Sequence, residues 1–488
     1  MSVFLSKKNS LIYFLYYSLL FIALFVFFFK VHPLMPFDTD DWKYIGFERP
    51  PYPTIYQWNP TKLFPECFQP LLGMFAAYFL TPILGDYISA LVVTHSLVIS
   101  LFISGYFYFV QGVVTWKYRI GPYSGFCLIA IFALVHFIIL NNNEHLFYSR
   151  DVNCYYNYIV PNLLCAGLVM WLICHDIKEV RSMRIWSILI FSTFLALFSN
   201  LYSTIILIAY IGAVLLCNLW ACNKKDNHWM KKFISQNTYF LIVIFVWFVV
   251  QYIEASGVRA NAYGYMLLPF GVSLQKTIEY FITHLHFSKW VIFFIASIII
   301  LSKICHYFKG NKYLFHIGRL QFILVISTCL SLAYLILLSS RVFPAYLAKG
   351  DVIFSYIFFI LLLFALCMGY LTAKIPFVKV LYPFLLFFFL CIFYIKESSF
   401  KDMQHWNGTD LQTCEKFNRD VIEQVKTAEL LGKDTVIIYV HNYNDGSNWP
   451  QDISAGHYIG QTLYKHGIIR HKIVTVYERK PTALDTKQ

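Results

Sequence analysis

From Leu11 to Phe29 the chain reads LIYFLYYSLLFIALFVFFF, with no charged residue and none of the alternation of dry and wet positions that a soluble helix needs. About 20 apolar residues cross the hydrocarbon core of a bilayer. In that solvent a backbone must satisfy its own hydrogen bonds, which leaves helices or closed barrels. Similar blocks recur to the end of the fourth hundred of residues. They predict spans over about 11–30, 86–110, 121–140, 157–175, 185–198, 201–220, 238–254, 289–304, 320–340, 352–370 and 379–396. The fold expected is therefore an all-α polytopic membrane protein of about 11 transmembrane helices. The first block is too long for the apolar core of a signal peptide and no small-x-small cleavage site follows it, so it reads as a retained span.

The chain carries a net charge of +13, with only 13% of its residues charged. The location of the basic residues decides what that excess means. With the N-terminus inside, the inner segments hold lysines and arginines from Lys7 to Lys379 against three acids, Asp176, Glu179 and Asp226. This is the positive-inside bias, so the charge encodes topology and argues against nucleic acid as a partner.

An odd number of spans puts the C-terminus outside. Two outer regions stand out there. The first, 31–85, ends in FQPLLGMFAAYFLTPILG, an apolar stretch broken by Pro70, Gly73, Pro82 and Gly85 and read as a helix on the membrane surface. The second, 397–488, loses the long apolar runs and balances acids with bases. CEKFNRDVIEQVKTAELL has helical spacing, DTVIIYV is a β-branched strand, ISAGHYIGQTLYKHG is a second helix and HKIVTVYE a second strand. Residues 1–396 thus form a transmembrane domain and 397–488 a small α/β domain on its outer face.

Between the first span and the surface helix lies HPLMPFDTDDWKYIGFERPPYPTIYQW, with Asp38, Asp40 and Asp41 set among aromatics and prolines. A carboxylate beside a bilayer serves either as a solvated cap or as a general base or metal ligand. Acids are sparse in the other outer loops, and the aromatic setting suits a shaped cleft, so Asp40 and Asp41 are the catalytic candidates. Arg150, Arg259, Arg341 and Lys349 lie in other outer loops. Singly, each reads as a solvated residue or as the partner of Asp151, Glu254 or Asp351. As a set they suit a lipid phosphate, which Arg grips with a bidentate fork. Trp42, Trp58 and Trp449 are aromatics able to stack on a sugar. No Gly-x-Ser-x-Gly, P-loop, HExxH or dinucleotide motif occurs.

A first span, an outer loop with an acidic pair, a surface helix and then a second span resembles the GT-C superfamily of polytopic glycosyltransferases. DDWKY matches that family's short acidic motif, with Asp40 on the position of the base, Asp41 on the second acid and Tyr44 on the aromatic. FQPLLGMFAAYFLTPILGDYISAL looks like its surface helix leading into span two. Within the superfamily the chain is most similar to the serotype-converting O-antigen glucosyltransferases of bacteria and phages. That resemblance implies a multi-pass protein of the bacterial inner membrane, with a cytoplasmic N-terminus and a periplasmic C-terminus. It implies transfer of a sugar, glucose in those relatives, from a polyprenyl-phosphate carrier to a lipid-linked polysaccharide hydroxyl, with inversion. Asp40 and Asp41 would be catalytic, Asp38, Trp42 and Tyr44 would contact substrate, and Arg150, Arg259, Arg341 and Lys349 would face the donor phosphate. Some members use a divalent metal and others none; the sequence names no metal ligand. Two other classes fit the composition: an O-antigen polymerase or ligase, which keeps its large loop between late spans, and a transporter, which would carry repeats or charges deep in its spans.

Overall fold

In the computed structural model the chain is described over residues 7–37, 39–46, 61–138, 146–147, 152–222, 228–257, 260, 268–284, 296–297, 312–374, 376–395, 411–440 and 456–479. The first helix, α1 (Lys7–Val26), continues through a wide π turn (Phe27–Val31) into extended chain and the short α2 (Thr39–Ile45). Then come α3 (Leu63–Leu84), α4 (Tyr87–Tyr118), α5 (Pro122–Ile138), α6 (Val152–Cys174), α7 (Met183–Leu197), α8 (Leu201–Ala221) and α9 (Trp229–Ala255). After them follow α10 (Phe270–His284), α11 (Lys312–Val342), α12 (Phe354–Lys374) and α13 (Pro376–Ile395). The C-terminal region is α14 (Leu411–Leu430), β1 (Thr435–Val440), α15 (Gly456–Lys465) and β2 (Val474–Arg479).

Among the described residues, eight helices are long and apolar enough to cross a membrane: α1, α3, α4, α6, α8, α9, α11 and α12. The shorter apolar helices are α5, α7 and the 379–395 part of α13. The protein is thus a multi-pass helical membrane protein. Seven of the eleven expected spans fall on these long helices, whereas those expected over 121–140, 185–198 and 379–396 fall on the three shorter ones. The stretch 289–304 lies outside the described residues except for 296–297, and α3, expected on the membrane surface, has the length and composition of a span.

Local chemistry sets the helix ends. Gly85 (φ 73°) turns the chain left-handed after α3, a conformation that costs glycine nothing. Asp86 then caps α4 by accepting from the Ser89 amide at 2.7 Å. Asn200 caps α8 in the same way, accepting from the Tyr202 amide at 2.8 Å. The α3–α4 hairpin is antiparallel, with Phe68 against Phe102. Ser96 of α4 donates to the Phe28 carbonyl at 2.7 Å and Tyr17 donates to the Phe107 carbonyl at 3.3 Å, so α1 also runs antiparallel to α4. Helices α4, α6 and α12 form the interior, while α9 and α13 expose Phe245, Phe248, Phe384 and Phe387. That outward apolar surface suits a lipid solvent.

The buried apolar side chains form two clusters. The larger belongs to the bundle. The smaller mixes Met35, Phe37, Trp42 and Ile45 with Ala76, Tyr87 and Leu91, and with Val425, Ile438, Leu463 and Tyr477 of the C-terminal region. The expected order of helix, strand, helix and strand is found there, with β1 parallel to β2 in register Thr435 to Val474 and α15 as the crossover. Its core, however, is shared with α2, α3 and α4. The proposed boundary near 396 falls outside the described residues.

Candidate functional site

Residues of α2 divide by direction. Successive side chains on a helix point about 100° apart, so neighbours Asp40 and Asp41 meet different surroundings. Asp41 is fully buried. Its Oδ2 accepts from the Phe37 amide at 2.7 Å and its Oδ1 from the Asn153 amide of α6 at 2.6 Å. It ties α2 to the chain before it and to the bundle behind it. Asp40 is exposed and is the carboxylate of the pair that an incoming molecule can reach.

Trp42 is also fully buried, against Tyr87, and its carbonyl accepts from the Thr462 hydroxyl at 2.8 Å. Tyr44 is buried. These two aromatics therefore pack α2 in place and are not open for a sugar to stack on. Lys43 lies over the Tyr458 ring at 5.2 Å. Asp38 and Trp58 fall outside the described residues, as do Trp449, Arg150 and Arg259.

The C-terminal region holds α2 from the other side. Lys465 Nζ donates to the Gly46 carbonyl at 3.0 Å, and His466 Nε2 donates to the Ile45 carbonyl at 3.2 Å. Because that carbonyl can only accept, the His466 proton sits on Nε2, and Nδ1 accepts from the Tyr87 hydroxyl at 2.6 Å. Burial, with help from Lys465 beside it, pushes the His466 imidazole down to about 4, against a smaller upward pull from the Ile45 carbonyl. Asn418 adds a bond to the Pro36 carbonyl at 2.7 Å.

A cavity of about 490 Å³ opens at the same end of the bundle. Its polar lining includes Lys62, Tyr158, Asn200, Tyr202, Glu254 and Arg341. Glu254, at the end of α9, accepts from the Thr61 amide at 3.0 Å and from the Thr61 hydroxyl. It anchors the start of α3 and is not simply the partner of a loop arginine. Arg341, in the last turn of α11, lies over the Phe270 ring at 4.7 Å. Lys349 is exposed beside the wall residue Tyr346, at 5.2 Å from its ring, but does not line the cavity.

Sequence reasoning had named Arg341 and missed Lys62, Tyr158 and Asn200. Lys62 sits 5.8 Å from the Tyr158 ring. In the sequence it is one lysine before an apolar run, with no signal to set it apart.

A ladder of buried amides joins the acid helix to this cavity. Asp41 binds the Asn153 amide; Asn157 Nδ2 donates to the Asn153 carbonyl at 2.9 Å; Asn200 Nδ2 donates to the Asn157 carbonyl at 2.8 Å. Tyr158, on the cavity wall, lies five residues along α6 from Asn153, roughly 7 Å of helix rise. The stretch between them is a π turn (Tyr155–Ile159), a form that concentrates at functional sites. The ladder thus links the helix that carries Asp40 to a cavity lined by charge of both signs, phenols and an amide. Among the described residues no three His, Cys, Asp or Glu side chains converge as a metal cage would require. Compared with protein-family models, curated proteins and solved structures, the chain matches none.

Proposed function

We propose that this protein is a polyprenyl-phosphate-dependent glycosyltransferase of the GT-C type, acting on surface polysaccharide at the periplasmic face of a bacterial inner membrane. In this reading α3 lies at the outer membrane surface. The other seven long helices, the three shorter ones and the stretch 289–304 then make eleven spans, with the N-terminus cytoplasmic and the C-terminus periplasmic. The observation that carries the reading is the division of labour in α2: Asp41 is consumed in holding the helix and Asp40 is left exposed, on a helix tied through Asn153, Asn157 and Asn200 to a cavity lined by Lys62, Arg341 and Glu254.

The chemistry follows from those parts. A polyprenyl phosphate keeps its tail among the spans and presents its sugar at their end. Asp40 accepts the proton of the acceptor hydroxyl as that oxygen attacks the anomeric carbon. The C–O bond to the phosphate breaks with inversion, and its electron pair leaves on the lipid phosphate. Arg341, with Lys62 across the same cavity, stabilises that charge. The C-terminal region, seated on α2, offers the acceptor its first surface.

The test is mass spectrometry of surface polysaccharide from cells producing wild type or Asp40→Asn at matched protein levels. Hexose added by wild type and absent in the variant is expected. Altered chain length without added sugar would point to a polymerase, and unchanged polysaccharide throughout would remove the proposal.

A further inference from the structure

A second cavity, of about 860 Å³, lies between α4, α6 and α7. Along the membrane-spanning part its walls carry no charge and are mostly apolar, among them Phe109, Leu163, Trp171 and Ile188, with Tyr106 and Ser192 beside them. Its charged groups and an imidazole collect at one end, where α6 finishes: His175, Asp176, Glu179 and Arg181. That is the opposite end of α6 from Asn153 and Tyr158. The apolar stretch from Leu163 to Cys174 rises roughly 17 Å. A single leaflet of hydrocarbon is about 15 Å deep.

Two glycines line this space from facing helices, Gly105 on α4 and Gly167 on α6. Glycine inside a helix is unfavourable relative to alanine, and membrane helices usually keep it where backbones approach closely. Gly105 has no such reason: a Cβ there would meet nothing within 4 Å, and one on Gly167 would meet only the Phe109 ring, at 3.5 Å. What the missing side chain of Gly105 leaves is room inside the groove.

The mouth is also organised. His175 stacks on Trp171 at 4.6 Å between centroids and uses Nδ1 to donate to the Trp171 carbonyl at 3.0 Å, which leaves Nε2 for another partner. Arg181 and Glu179 are exposed and form no ion pair among the described residues. Cationic and anionic groups side by side complement a head group that carries a phosphate and an ammonium.

We propose that this groove binds one acyl chain of a zwitterionic phospholipid from the leaflet opposite the candidate active site, with the head group held at His175–Arg181. The phosphate faces Arg181 and His175, and the ammonium faces Glu179 and Asp176. The site is independent of the transferase reading.

The test uses full-length protein purified in mild detergent, delipidated until annular lipid is gone, and examined by native mass spectrometry with extraction and identification of what remains. Wild type should retain about one phospholipid per chain. Gly105→Leu, which puts a side chain into the groove from a Cβ position with no neighbour within 4 Å, should lower that retention about tenfold while the thermal midpoint holds or rises. Ile188→Trp, from the opposing wall, should do the same, and keeps the test open if the first variant folds poorly. Arg181→Gln should shift the retained species away from phosphate-bearing lipids. Equal retention in wild type and both blocking variants would overturn the site. A retained polyprenyl phosphate in place of a two-chain phospholipid would overturn its occupant.

Discussion

The two acids of α2 should separate cleanly when each is changed to its amide. Asp41 is fully buried and gives each carboxylate oxygen to a backbone amide, at 2.7 Å from Phe37 and 2.6 Å from Asn153. A hydrogen bond to a charged group contributes about 1.5–3 kcal/mol, and a buried donor left unsatisfied costs about 1–3 kcal/mol. Asp41→Asn keeps one acceptor oxygen but turns an NH₂ towards the other amide, so one of the two bonds becomes a clash of donors. A loss of about 3 kcal/mol is expected. Asp40 is exposed, and Asp40→Asn should stay within about 0.5 kcal/mol of wild type, while loss of a general base lowers rate about 10²–10⁴-fold. The assay pairs thermal unfolding of purified protein with sugar transfer in isolated membranes. Asp41→Asn should melt early and accumulate poorly; Asp40→Asn should melt with wild type and be inactive. An Asp41→Asn protein as stable as wild type would refute the burial argument, and a fully active Asp40→Asn would refute the assignment of the base.

Three further outcomes follow from the same geometry. Burial holds the His466 imidazole down to about 4, so the unfolded chain takes up its proton first as pH falls. Stability from this group is complete above about 6.5 and declines by about 3 kcal/mol on the way to about 4; thermal scans across that window should show the loss in wild type and a flatter profile in His466→Gln. Gly46→Ala would drive a methyl group onto the Thr462 hydroxyl, costing about 1–3 kcal/mol and raising protease cutting between α2 and the C-terminal region, with Thr462→Ala in the same chain restoring part of it. Arg341→Gln should lower transfer about 10²-fold without moving the thermal midpoint, since the side chain is only partly buried at a cavity edge.

The bundle was legible because a bilayer leaves the backbone few choices: an apolar block of sufficient length becomes a helix. The C-terminal helices and strands were legible from period and β-branching. The site was legible only in outline. DDWKY announced an acid pair, and helix geometry says that adjacent side chains diverge, but which of them faces inward depends on Asn153, 112 residues away in sequence. Trp42 and Tyr44 have the look of ligand-stacking aromatics, yet α2 is amphipathic over one turn and uses them to pack. Glu254 reads as a loop acid beside Arg259, whereas its carboxylate reaches Thr61 across 193 positions. Lys62 and Asn200 enter the cavity through long-range packing of α3 against the α7–α8 turn, where the Phe64 amide binds the Phe198 carbonyl at 3.0 Å. No periodicity encodes such a meeting.

The shortness of α2 gives the C-terminal region a structural role. A helix of seven residues is far below the length that persists alone in water, so its position must be imposed. From the bundle it is held by Asp41. From the C-terminal side it is held at successive carbonyls of its last turn: Trp42 by Thr462, Ile45 by His466, and Gly46 just beyond by Lys465. The Ile45 and Gly46 carbonyls are among those a helix end leaves without intrahelical partners, while that of Trp42 also accepts from the Gly46 amide at 3.2 Å, so the C-terminal region acts as an external cap on α2. Tyr78 of α3 donates to the Lys465 carbonyl at 2.7 Å, and Arg419 pairs with Asp86 at 2.9 Å, locking the same region to the α3–α4 hairpin. Asp40 is thus aimed jointly by the second hundred residues and by the last seventy. Replacing the C-terminal region with another sequence would alter the aim of this carboxylate, unless Thr462, Lys465 and His466 are kept.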